Sequence, residues 1–196
     1  MEEGTFVHTL CTPHVVCPPL CTPSLIHPML YLQTATSAVV LSGHTSEVFM
    51  CKWNNVKPSL IATGSGDSTA RIWDSANPNL PPVVLRHAEV SGEKNKDVTT
   101  LEWSPSGDLL ATGSYDGVAR VWAMDGSVKY TLAFHRGPIF SLKWNHDGTR
   151  LLSGSYDKST IVWDMANGTR ECQFEVHDAP ALDVDWNGTD VFASCR

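Results

Sequence analysis

Three stretches, LIATGSGDSTARIWD at 60–74, LLATGSYDGVARVW at 109–122 and LLSGSYDKSTIVWD at 151–164, are near-copies of one phrase. Each carries a tryptophan near its end, Trp73, Trp122 and Trp163, spaced by 49 and 41 residues. A second tryptophan series, Trp53, Trp103, Trp144 and Trp186, runs ahead of the first at spacings of 50, 41 and 42. Self-similarity at such a period is the signature of a repeat architecture, in which each unit is a supersecondary element needing its neighbours to bury its faces.

Upstream of each unit stands a histidine, His44, His87, His135 and His177, at 9, 16, 9 and 9 residues before the first tryptophan. The second unit therefore carries a seven-residue insertion, within AEVSGEKNKD, whose polar, glycine-containing composition predicts an enlarged loop. Within each unit, short runs rich in Val, Ile, Leu, Thr and Trp alternate with turn residues, the pattern of strands. Strands a to d of the first unit are expected at 47–53, 59–65, 69–74 and 82–86. Those of the second are expected at 97–103, 108–114, 118–123 and 127–132, and of the third at 138–144, 149–155, 159–164 and 169–174. A fourth unit opens at 180–186 and reaches only its second strand. The b to c junctions Gly66-Asp67, Asp116-Gly117 and Asp157-Lys158 have tight-hairpin chemistry. The expectation is an all-β chain, a partial β-propeller of four-stranded antiparallel blades, three complete plus half of a fourth, over residues 38–196.

Residues 1–37 differ: Pro13, Pro18, Pro19, Pro23 and Pro28 interrupt any helix or central strand, and a disordered Pro/Thr/Cys leader is expected. Cys11, His14, Cys17 and Cys21 have zinc-capable side chains but lack C-x2-C pairing, so no metal site is expected. Cys51, Cys172 and Cys195 fall singly in strand-like runs, as buried thiols do, which fits a reducing compartment. Fourteen Lys and Arg against twenty-one Asp and Glu give a net charge of −7. With no basic stripe to neutralise phosphates, direct nucleic-acid binding is not expected, and basic peptides are the better electrostatic match. No run of 18 apolar residues predicts a membrane span.

The Gly43-His44, Gly-Ser, Asp and Trp73-Asp74 and Trp163-Asp164 landmarks resemble WD repeats. The resemblance implies a hydrogen-bonded tetrad in each blade: His44, Ser65, Asp67 and Trp73; His87, Ser114, Asp116 and Trp122; His135, Ser155, Asp157 and Trp163. A Ser, His and Asp set also fits a hydrolase triad, but a triad is single, whereas this set recurs in every unit with an indole as partner, which argues for structure. No P-loop, HExxH, GxSxG or dinucleotide fingerprint is present, so neither an enzyme nor a cofactor is expected.

More narrowly, EKNKDVTTLEW, GHTSEVF, GSGDSTARIW and HDAPALDVDW resemble the transducin β-like branch of the family. That resemblance implies a nuclear scaffold subunit of a histone-deacetylase transcriptional corepressor complex, with corepressor and deacetylase-complex subunits and histone tails as partners. Residues 1–36 show neither the LisH motif nor the F-box-like segment of that branch, and its eight-bladed ring exceeds the units present. The family's peptide-binding rim maps onto Glu47 and Phe49, Asp97 and Thr99, Pro138 and Phe140, Pro180 and Leu182, with Tyr115 and Tyr156 beside the turns; Phe49 and Phe140 could equally pack between blades. Arg71 and Arg120, at one place on strand c, read as solvated edge charges. The competing reading is a truncated or mis-spliced propeller fragment with no stable independent function.

Overall fold

The computed structural model describes residues 29–33, 38–87 and 96–196, and all their regular structure is β. A first antiparallel hairpin joins β1 (Met29–Gln33) to β2 (Ala38–Ser42). Three four-stranded antiparallel sheets follow. The first comprises β3 (Val48–Trp53), β4 (Leu60–Ser65), β5 (Thr69–Asp74) and β6 (Val83–Arg86). The second comprises β7 (Val98–Trp103), β8 (Leu109–Ser114), β9 (Val118–Ala123) and β10 (Val128–Ala133). The third comprises β11 (Ile139–Trp144), β12 (Arg150–Ser155), β13 (Thr160–Asp164) and β14 (Thr169–Phe174). A two-stranded sheet, β15 (Asp183–Asn187) and β16 (Val191–Cys195), ends the chain. These are three blades flanked by two half-blades.

Strand bounds in the three blades match those expected to within a residue. The fourth unit starts its first strand at Asp183 rather than 180. Ahead of it, Ala181 N–H donates to the carbonyl of Ser155 in the third blade, and Leu182 N–H to that of Cys195 in β16. The leader is also corrected in part. No proline falls between Pro28 and Pro58, and the segment 29–33 pairs with Ala38–Ser42, where no strand was expected. Residues 1–28, with Cys11, His14, Cys17 and Cys21, lie outside the described residues, as do 34–37 and the inserted loop at 88–95.

At each b to c hairpin the residue after the aspartate takes a positive φ: Ser68 (63°), Gly117 (81°) and Lys158 (72°). The aspartate side chain holds this turn. Asp67 Oδ1 accepts from Thr69 N–H (3.0 Å) and hydroxyl (2.6 Å), and Asp157 Oδ1 accepts from Ser159 in the same way.

Blades stack through the central strand b, which is buried from its second residue onward in β4, β8 and β12. One glycine in each, Gly64, Gly113 and Gly154, lets the next blade's strand a approach. A Cβ on Gly113 would lie 2.8 Å from Ile139 Cγ2 of the following blade. The resulting core groups Ala111, Val121, Leu132, Ile139, Leu142 and Leu151 with Trp144 and Trp163. The hairpin β1–β2 caps the first blade, Leu41 packing on Ile61 and Trp73 with Leu30 and Leu32 alongside. The half-blade caps the third through Val184, Trp186 and Phe192.

Candidate interaction rim and the networks beneath it

Beneath the rim formed by the d to a and b to c turns, each blade carries a buried polar chain. In the first, Trp73 Nε1–H donates to Thr63 Oγ1 (2.9 Å), which lies 2.7 Å from His44 Nε2. His44 Nδ1 is 2.9 Å from Asp67 Oδ2. A carboxylate only accepts, so Nδ1 carries the hydrogen and Nε2 accepts from the threonine hydroxyl. Thr45 N–H donates to the same carboxylate oxygen (3.0 Å), which pins the d to a turn to the b to c turn. The third blade repeats this through Trp163, Ser153, His135 and Asp157 at 2.9, 2.7 and 2.9 Å, with Arg136 N–H on Asp157. Burial works to raise the Asp67 and Asp157 carboxyls. The hydrogen bonds from His44 and Thr69, and from His135 and Ser159, outweigh it and hold both well below the usual carboxylate range.

The hydroxyl in these chains corrects the sequence expectation. It belongs to Thr63, Thr112 and Ser153, not to Ser65, Ser114 and Ser155. Trp73 stands opposite Ile61, and one diagonal step of two residues brings its N–H to position 63; position 65 is a further step away. Ser65 instead donates to the carbonyl of Ser46 (3.0 Å) and accepts from Asp67 N–H (3.1 Å). Ser155 does the same with Gly137 and Asp157, while Ser114 donates to Asp116. A hydroxyl recurring at 63, 112 and 153 was the signal available in the sequence.

The second blade runs its chain with the opposite tautomer. Arg120 Nη1 donates to His87 Nδ1 (2.9 Å), so Nε2 carries the hydrogen and donates to Thr112 Oγ1 (2.8 Å). Thr112 also accepts from Trp122 Nε1–H (2.8 Å). Burial drives the His87 pKa well below its ordinary value, and the Arg120 and Lys96 charges push the same way, so the ring is neutral. Asp116 meets the histidine only through Arg120, whose guanidinium lies 3.8 Å away. Arg71 approaches Asp67 at 3.9 Å and lies over Trp73. Both arginines are thus folded into the networks rather than solvated, because the turn carboxylates Asp67 and Asp116 offer a nearby counter-charge.

The connectivity Asp157, His135, Ser153 is that of a nucleophilic triad. Its chemistry is not available to a substrate, since Ser153 is fully buried and its oxygen accepts the Trp163 indole. What the chains can do is lock three turns in place.

Those turns carry the rim. Gly66, Tyr115 and Tyr156 donate backbone N–H bonds to the carbonyls of Glu47, Asp97 and Pro138 at 3.0, 2.9 and 2.8 Å, setting the expected positions side by side. Glu47, Phe49, Tyr115, Tyr156 and Leu182 are exposed, and Asp97, Pro138, Phe140 and Pro180 half-buried. Phe140 meets Tyr156 edge to face at 6.3 Å. Phe49 lies over Gly66, where the other blades carry tyrosine. Ser46 donates to Glu47 (2.6 Å), which lowers that carboxyl. Thr99 differs: its hydroxyl lies on the carbonyls of Gly113 and Ile139, so it straps the second blade to the third.

The WD domain, G-beta repeat, matches residues 35–74, 86–123 and 126–164. The human F-box-like/WD repeat-containing protein TBL1X is 53% identical over 168 residues, covering 82% of this chain and 29% of the relative. The WD40 repeat-containing protein HOS15 of Arabidopsis thaliana is 49% identical over 165 residues, 79% of this chain and 27% of its own. The chain thus spans about three-tenths of the length of these relatives. Among solved structures, the C-terminal WD40 domain of Sif2 aligns at TM-score 0.67 and 30% identity, over 86% of this chain and 46% of that one. A chain of the mitotic checkpoint complex aligns at TM-score 0.72 and 21% identity, over 86% and 53%. Repeats, networks and relatives agree: the chain belongs to the WD-repeat family of β-propellers, on the side of the TBL1 branch.

Proposed function

We propose that the chain is a non-catalytic protein-interaction scaffold of the corepressor-subunit type, acting in the nucleus. It would bind histone tails or subunits of a deacetylase complex across the rim. The observation that supports this is the exposure of Phe49, Tyr115, Tyr156 and Leu182, together with the backbone hydrogen bonds that pair Glu47 and Asp97 with the b to c turns. Aromatic anchors amid acidic groups suit a peptide carrying apolar side chains and Lys or Arg. Fluorescence anisotropy with labelled Lys-rich histone-tail peptides tests it. Tyr115→Ala with Tyr156→Ala should weaken binding roughly tenfold or more while leaving the unfolding midpoint unchanged. Equal affinity for wild type and double variant would sink the reading. The opposing reading, a fragment without stable activity, draws on the exposure of Trp53 and Cys51 on β3 among the described residues. Cooperative urea unfolding of the 196-residue chain would exclude it.

A further inference from the structure

Charge on the rim changes sign from blade to blade. The turns into the first two blades end in Glu47 and Asp97, whereas the equivalent position of the third blade holds Pro138. The third blade's turns carry two cations in place of an acid: Arg136 before strand a and Lys158 between strands b and c, both exposed. In a chain of net charge −7 this is a local basic spot.

The two turns touch. Arg136 N–H donates to Asp157 Oδ2 at 2.8 Å, and a Cβ on Gly137 would lie 3.2 Å from Asp157 N and 3.4 Å from Tyr156 Cβ. The backbones of Arg136 and Lys158 thus lie on either side of one contact. Asp157, the carboxylate between them, is turned inward and fully used. Its Oδ2 also faces His135 Nδ1–H, and its Oδ1 accepts from the N–H and hydroxyl of Ser159. Asp116, on the adjoining turn of the second blade, accepts from Ser114 and has Arg120 3.8 Å away. No ion pair among the described residues engages the Arg136 or Lys158 side chain.

An apolar anchor point shares these turns. Phe140 and Tyr156 meet edge to face at 6.3 Å, and the Pro138 carbonyl accepts Tyr156 N–H at 2.8 Å. The second blade has no such pair, since Thr99 stands where Phe140 does and its hydroxyl is taken by the carbonyls of Gly113 and Ile139. The aromatic pair and the two cations therefore coincide on one blade, and the acids lie one and two blades away.

We propose that Arg136 and Lys158 take an acidic side chain of the bound peptide, next to the peptide's apolar anchor. The partner is then charge-segregated, with Lys or Arg over the first two blades and an apolar residue followed or preceded by Asp or Glu over the third. This assignment rests on the reading of the rim as a peptide-binding surface, and narrows it. A uniformly basic tail loses at Arg136 and Lys158 what it gains at Glu47 and Asp97, because like charges set together at a rim count against the wrong partner. Packed sheets lie about 10 Å apart and an extended chain advances about 3.3 Å per residue, so the basic and acidic segments stand roughly three to six residues apart.

Fluorescence anisotropy with three labelled synthetic peptides of equal length tests this. The first carries paired lysines, a short Gly-Ser spacer and Leu-Glu; the second has that Glu replaced by Lys; the third has the paired lysines replaced by Gln. Each is made in both chain directions. Wild type should bind the first on the order of tenfold more tightly than the second, and added salt should shrink the difference. Arg136→Glu combined with Lys158→Glu should reverse that preference without moving the unfolding midpoint. Glu47→Gln combined with Asp97→Asn should remove the advantage of the first peptide over the third and leave its advantage over the second. A wild type that prefers the second peptide, or a preference unchanged by Arg136→Glu with Lys158→Glu, would overturn the assignment while the rim remains a peptide-binding surface. Binding of none of the three, nor of the Lys-rich histone-tail peptides, would overturn that reading of the rim and this assignment together.

Discussion

Thr112 takes two hydrogen bonds at one oxygen, from Trp122 and His87, in a position with no access to water. Thr112→Val keeps the shape but leaves an indole N–H and an imidazole N–H buried without acceptors, so it should cost roughly 2–5 kcal/mol in urea unfolding. Ser114→Ala removes only a bond to a partly exposed carboxylate and should cost less than half of that. The reverse order would restore the serine to the network. His87 adds a pH dependence of definite sign. Its folded pKa is depressed, so below about 6.5 the unfolded chain binds a proton that the native chain refuses, and stability falls as the pH drops from 7 toward 5. The slope is at most about 1.4 kcal/mol per pH unit for one group, and His87→Gln should remove it. The contribution of Asp67 and Asp157 lies lower. It is present above their ordinary value of 3.8 and is lost only as the pH falls beneath that, so the two effects separate in an acid titration of the unfolding midpoint.

Strand placement was legible because its signals are local: period-two apolar runs, turn residues and tryptophan spacing all act within a dozen residues. The partner of each tetrad indole was not, because it depends on cross-strand register, which decides between Thr63 and Ser65 although both lie on one face of β4. The roles of Arg71 and Arg120 escaped for the same reason, as did the strap made by Thr99, whose acceptor Ile139 lies forty residues on. Each is a contact between elements. The glycines of strand b are the clearest case of an element shaped by its neighbour. Gly113→Ala would set a Cβ 2.8 Å from both Ile139 Cγ2 and Thr100 Cγ2. Neither contact is the tip of a long flexible chain, so the second and third blades must part slightly, at about 1–3 kcal/mol. Urea unfolding should show a lowered midpoint with an unchanged m-value; a neutral substitution would mean that the blades are not in close contact there.

At the largest scale, stability in a repeat array is a sum of unit and interface contributions, so it must be graded along the arc that the described residues form. The second blade has a whole blade on each side, and its strands a and b are buried where β3 and β16 are alternately exposed. The first and third blades each have one whole neighbour and one hairpin. Amide hydrogen exchange should follow this order: β8 and β9 slowest, β4 and β12 intermediate, and β1 and β16 fastest, by a factor on the order of a hundred between the extremes. Uniform protection along the chain at low concentration would show instead that the arc unfolds as one cooperative unit. The half-blades would then draw their stability from the whole blades beside them.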